Sequence, residues 1–280
     1  MLNLASLCFP DREKSCFFCC PPIRDPAADP LDDVAGRRQR FRENRYRLAE
    51  RLRQPREING ESCWGLGFLD DEEKQIGCLL HPLQNHGRDL RHLTGYQFKC
   101  ANALCREAEV FAALPESSQQ LALALCRGMD SFTYSSRTNP VKQLLCWERE
   151  VTGPVLAALA ANGRQPTLQD LVDEYGFLWQ KLDFRLDGYL AGKLISRRGV
   201  DFLCRRQAEL PALRQRIIIG LTRKLAATAV NNGRLRPCHC LDIPLSLSRM
   251  LKFGADIWEL PEGIESEIVS AIESEVKAFV

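Results

Sequence analysis

Long apolar runs are missing from this 280-residue chain. No stretch reaches the roughly 18 residues that a membrane-crossing helix needs, so none is expected. The short fingerprints of several large enzyme classes are missing as well. There is no G-x-G-x-x-G, no G-x4-G-K-[ST], no G-x-S-x-G and no H-E-x-x-H. That removes the glycine loops that cradle phosphates, the nucleophile elbow and the two-histidine zinc helix. The segment GYLAGK at 188–193 has the wrong spacing for a phosphate loop and follows no strand. Net charge is scarce too: 38 basic against 36 acidic residues leave +2, so no overall attraction to nucleic acid or to a membrane surface is expected. The first residues, MLNLASLCFPD, lack both a basic start and an apolar stretch of signal length, and they read as part of the mature fold.

What the chain does have is thiols, thirteen of them. A chain of this length buries enough core to need no disulfides. An odd number of cysteines suits the reducing cytoplasm, the expected compartment, where clustered thiols serve as metal ligands or catalytic groups. Eight of the thirteen lie in the first 105 residues, spaced C-x7-C-x2-C-C and then C-x14-C-x21-C-x4-C. A C-x2-C step lets two thiolates turn toward one ion, and a pair from a distant loop completes a four-sulfur shell. Tetrahedral zinc and cluster iron both accept such a shell. The adjacent Cys19 and Cys20 fit one ion poorly, because neighbouring side chains of an extended segment point opposite ways. Two metals or a cluster nearby, or one buried thiol, would accommodate them. Pro21 and Pro22 then stiffen the backbone.

The expected metal set is therefore Cys16, Cys19, Cys20, Cys63, Cys78, Cys100 and Cys105, with Cys8 and His81 as further candidates. His86 and His92 read as second-shell or surface groups. A separate donor group, RPCHCLDIP at 236–244, holds Cys238 and Cys240, which would face one side of an extended strand. They are either additional ligands or two buried thiols. Cys126, Cys146 and Cys204 sit in apolar helical stripes and read as core residues.

The residues around the thiols divide the chain. Segment 1–36 is rich in Pro and Asp and reads as loop. Residues 37–56 carry nine arginines against Glu43 and Glu50, on a helix with a thin apolar stripe at Phe41, Leu48 and Leu52, ended by Pro55. CWGLGFL and IGCLLHP flank the acidic turn DDEEK as a possible short hairpin, which Gly65 and Gly67 weaken. Beyond 105 the pattern is helical. One helix enters at Pro115-Glu116-Ser117, and another runs from Pro140 to Gly163 with a break at Gly153-Pro154. A long one starts at Thr167 with Asp170 as a capping box, and a further two begin near Pro211 and Gly263. Asp170, Asp173, Glu174, Asp183 and Asp187 read as surface acids, the last two sharing a helix face. The expected fold is mainly α: an irregular cysteine-rich metal-binding lobe, 1–110, packed on a helical half, 111–280.

Read together, SCFFCCPPIRD, CWGLGFLDDEEKQIGCLLHP and GRDLRHLTGYQFKC resemble the YkgJ-like family of zinc- or iron-chelating domains. The family has a Cys-x2-Cys-Cys start, a cysteine before a short apolar stretch, a cysteine on the next strand, a basic residue in the following loop and one or two last cysteines. Here those positions are Cys16, Cys19, Cys20, Cys63, Cys78, Arg88 or Arg91, Cys100 and Cys105. The likeness covers about residues 8–110. His81-Pro82 and Gly87-Arg88-Asp89 stand where the family carries an Arg-Pro pair. Some relatives are lysine methylases of flagellin, in which such cysteines would hold an iron–sulfur cluster.

The functional expectation is a protein that holds an iron–sulfur cluster, or zinc, with a redox, carrier or sensing role. Iron is preferred because seven or eight thiols exceed what one structural zinc needs. The resemblance implies an alternative, a cluster-dependent enzyme such as a protein lysine methyltransferase. A third reading is a zinc-stabilised module that offers Arg37–Arg56 to an acidic partner or, less simply, to nucleic acid. The plainer account of that helix is a solvated face answering the acidic C-terminal segment, which carries seven acids against Lys277 over 255–280.

Overall fold

The computed structural model describes residues 6–20, 29–56, 58, 63–102, 104–161, 163–228 and 235–280. Pro21 and Pro22, and the expected end of the helix near Gly233, lie outside the described residues. The chain divides into two compact units, Met1–Gln143 and Leu144–Val280. The fold is mainly helical, with a short antiparallel hairpin near the N-terminus, as the sequence suggests.

In the first unit the helices are α1 (Val34–Tyr46), α2 (Leu48–Arg53), α3 (Gln97–Asn102), α4 (Arg106–Ala112), α5 (Glu116–Leu125) and α6 (Ser131–Ser135), and α7 (Pro140–Leu145) starts in it and ends two residues past its boundary. The hairpin is β1 (Leu66–Phe68) and β2 (Ile76–Cys78), in register Leu66 to Cys78 and Phe68 to Ile76. Its turn is built by Asp70, whose carboxylate accepts from the Lys74 and Gln75 amides. Helix α1 crosses β1 closely. A Cβ on Gly67 would stand 2.8 Å from Leu79 Cδ1 and 3.0 Å from the Phe41 carbonyl, so the glycine that weakens the strand by propensity is what lets the helix dock.

Four rings form the core beneath this contact. Phe17 meets Phe41 and Phe132 edge-on at 5.6 and 5.4 Å between centroids, and Phe41 meets Phe68 at 5.8 Å. Such pairs add about 0.5–1.5 kcal/mol each beyond their buried area. Three arginines of α1 have local acidic partners: Arg38 and Arg42 bind Glu73 at the hairpin tip, and Arg45 binds Asp71.

The second unit holds α8 (Arg149–Ala160), α9 (Leu168–Tyr175), α10 (Phe177–Gln180), α11 (Phe184–Arg198), α12 (Val200–Arg206), α13 (Leu210–Thr228), α14 (Leu245–Arg249) and α15 (Glu265–Phe279). It also holds a two-stranded pair, β3 (Leu235–Pro237) with β4 (Glu259–Pro261). Helix α15 spends its acids inside this unit, on Lys193, Arg197, Arg216 and Lys224.

Two helix expectations change. The break expected at Gly153-Pro154 falls instead at 146–148, where Glu148 takes φ 68° and Trp147 is buried, while Pro154 lies inside α8. The long helix from Thr167 keeps its capping box but breaks into three. Asp183 is the N-cap of α11, accepting from the Arg185 amide. Asp187 is no surface acid: it is buried, 2.6 Å from Arg214, and accepts from the Asp183 amide at 3.0 Å.

Candidate metal centre

Segment 15–17 runs beside β2 as though it were a third strand, but serines make the connections. Ser15 Oγ donates to the Ile76 carbonyl at 2.7 Å and accepts from the Ile76 amide at 2.6 Å. On its other side the Ser15 amide donates to Ser131 Oγ at 2.9 Å and the Phe17 amide to Ser135 Oγ at 3.0 Å, both on α6. The Cys16 amide donates to the Cys8 carbonyl at 2.8 Å, so the two earliest cysteines lie on adjoining runs. Cys63 and Cys78 sit at one end of the hairpin, where the Leu79 amide donates to the Gly65 carbonyl at 2.7 Å.

The result is a single cavity of about 320 Å³ lined by Cys8, Cys16, Cys19, Cys20, Cys63, Cys78 and Cys100. All but one of the eight early thiols thus meet on one wall system, although the first and last of them, Cys8 and Cys100, are 92 positions apart. Cys105, the N-cap of α4, does not line it, but its thiol interacts electrostatically with Cys16 and Cys19. Among the described residues, no three Cys, His, Asp or Glu side chains are grouped closely enough to hold an ion as they stand.

Cations approach the thiols from two sides. Lys142, on α7, is buried, with Nζ 3.6 Å from Cys16 Sγ, 2.8 Å from the Ser135 carbonyl and 4.0 Å from the centre of the Phe18 ring. None of its partners among the described residues is a carboxylate. Arg91 lines the cavity and donates to the Cys100 carbonyl at 2.5 Å, held in place by Asp89 at 2.7 Å. Of the two arginines singled out by resemblance, Arg91 is the one on the cavity wall.

Burial pushes the Cys8 and Cys78 thiols up to about 11 and the Cys105 thiol to about 12. Cys19 moves the other way, to about 6, because its thiolate accepts a hydrogen bond from Cys20, whose own thiol is driven up by the same contact. His81 also lines the cavity, and burial lowers its pKa, favouring the neutral ring that a metal binds. Its Nδ1 accepts from the Leu83 amide at 3.2 Å, which leaves Nε2 as the coordinating nitrogen. His86 and His92 are exposed and are not among the lining residues.

The second donor group differs from its expected form. Cys238–Cys240 is one 3-10 turn rather than a strand, so the thiols diverge: Cys238 is buried and donates to the Ile257 carbonyl at 3.3 Å, while Cys240 is exposed. Cys126 is fully buried against Asn139, and Cys146 and Cys204 are partly buried.

Lys142 escaped sequence reasoning, although it left a sign. It is a charged residue among Val141, Leu144 and Leu145, on a helix too short to have a solvent face of its own. Compared with protein-family models, curated proteins and solved structures, the chain matches none.

Proposed function

We propose that the first unit binds a metal through its early cysteines, an iron–sulfur cluster in preference to zinc, and serves a redox, carrier or sensing role. The observation that carries this reading is the buried Lys142 ammonium against the sulfur of Cys16, one of the seven thiols that wall the cavity. An ammonium is costly to bury without a counter-charge. The Cys19 thiol, with its pKa lowered to about 6, supplies one negative charge near neutral pH, and the thiols that burial raises stay protonated and supply none. A four-thiolate zinc or a four-iron cluster on four thiolates carries net negative charge, which a fixed cation offsets. The donor set fits either group, being sulfur-rich with one neutral imidazole in reserve. The likeness of residues 8–110 to chelating domains agrees with this reading and rests on the motif residues alone.

A cluster-dependent enzyme is the second reading, favoured by the cavity's apolar wall of Phe9, Leu69 and Tyr96 beside the thiols. That wall suits a small organic ligand. Specific binding of S-adenosylmethionine separates it from a carrier or sensor.

The test is anaerobic purification followed by metal and acid-labile sulfide analysis with a visible spectrum. A brown protein with comparable iron and sulfide, lost in Cys19→Ser and Cys78→Ser, is the expected outcome. A colourless protein with bound zinc moves the site to the zinc form. A folded protein with no metal after reconstitution by either route overturns the proposal.

A further inference from the structure

Helix α2 and the residues after it line a second cavity, of about 220 Å³, that contains no thiol. Arg47, Glu50, Arg51 and Gln54 follow one another at steps of three, one and three, which puts them on one helix face. Arg56 and Trp64 complete the lining. Trp64 is buried, and its indole N–H donates to the Arg56 carbonyl at 2.7 Å, so the backbone that carries Arg56 is tied to the wall.

The charges in this cavity do not cancel. Arg47 donates to both carboxylate oxygens of Glu50, at 3.0 and 2.9 Å, and that pair neutralises itself. Arg51 and Arg56 have no carboxylate partner among the described residues. Burial and the Arg47 charge both lower the pKa of Arg51, as expected of a guanidinium without its counter-ion. Arg53 behaves differently: it turns back to the Ala49 carbonyl and does not line the cavity. Two uncancelled guanidiniums call for a dianion, and their planar forks suit the oxygens of a tetrahedral one.

Glu50 narrows the choice. It repels any ligand oxygen that lacks a proton, but its carboxylate keeps lone pairs beyond those taken by Arg47 and can accept from an O–H. Hydrogen phosphate, a main form of free phosphate near neutral pH, brings two negative charges and one such proton. Sulfate brings the charge without the proton, and so does the dianion of a phosphate ester. We propose that this cavity is a binding site for inorganic phosphate, with Arg51 and Arg56 on its charged oxygens and Glu50 accepting from its O–H. The site is independent of the metal reading.

The experiment is calorimetric titration of the full chain at physiological ionic strength, where diffuse attraction to a basic face is screened. The titrants are inorganic phosphate, sulfate and glycerol phosphate. One phosphate per chain is expected, bound about tenfold more tightly than either competitor. Arg51→Gln and Arg56→Gln are each expected to weaken phosphate by about tenfold or more, and Arg53→Gln to leave it unchanged. Glu50→Gln frees Arg47 and removes the repulsion, so sulfate is expected to approach phosphate in affinity. Glu50, Arg53 and Arg56 are exposed and Arg51 is half-buried, so these variants keep the fold. Absence of saturable phosphate binding in wild type overturns the proposal. So does an Arg53→Gln loss equal to that of Arg51→Gln, which would mean a diffuse basic face. Sulfate or glycerol phosphate binding as tightly as phosphate overturns the assignment to the free, protonated ion.

Discussion

Lys142 shows what one residue asks of its surroundings. Its ammonium is desolvated, with Phe18 beneath it and a carbonyl and a sulfur beside it. With a cluster on Cys16, removing this charge favours the oxidised state. The midpoint potential in Lys142→Met is expected to fall by roughly tens of millivolts, with Lys142→Arg staying near wild type. Equal potentials in all three, read by spectroelectrochemical titration, would detach the lysine from the centre. The thiols themselves were legible in the sequence, because few roles collect cysteines into Pro- and Asp-rich loops. Their cation was not. Nothing in PVKQLLCW says which way one lysine turns, and only the packing of α7 decides it.

At the scale of elements, the hairpin followed from its apolar flanks and acidic turn, and the start of α9 from Thr167 and Asp170. These are local signals. The serine stitching of segment 15–17 joins positions 61 to 118 residues apart, and such pairings have no local signature. The arginine helix was legible as a helix but not in its role. It is the clamp over β1, with Asn44 donating to the Leu66 carbonyl at 2.7 Å and Glu73 collecting Arg38 and Arg42. The close pass at Gly67 makes this clamp testable. In Gly67→Ala the new methyl meets the Phe41 carbonyl, which is backbone and cannot rotate away. The cost is expected at about 1–3 kcal/mol, read as a lower urea midpoint with an unchanged slope. A midpoint equal to wild type would mean that the helix has room to move.

Across the whole molecule, every thiol of the cavity belongs to the first unit, Met1–Gln143. No helix among the described residues is long and apolar enough to cross a membrane. A ligand held at a thousand times its Kd stabilises what it binds by about 4 kcal/mol. Metal loading is therefore expected to slow amide exchange strongly in 8–20 and 63–105 and to leave 184–228 unchanged. Equal protection in both units would place the metal elsewhere. The boundary after Gln143 was not visible in composition, because the chain beyond 105 reads as one helical stretch and the attachment of its first part to the cysteine-rich segment runs through buried side chains such as Tyr134, whose hydroxyl donates to the Leu7 carbonyl at 2.8 Å.

The 126 residues between Cys16 and Lys142 also set a clock. At about 5–20 residues per second on the ribosome, roughly 6–25 seconds separate the emergence of the first thiols from that of their cation. For most of that interval Ser131 and Ser135 are also still to come, so the run from Cys8 to Cys20 has nothing on its far side to hold it against the hairpin. The thiol cage is thus a late product of synthesis: its earliest ligands must wait, reduced and uncommitted, for the last helix of their own unit.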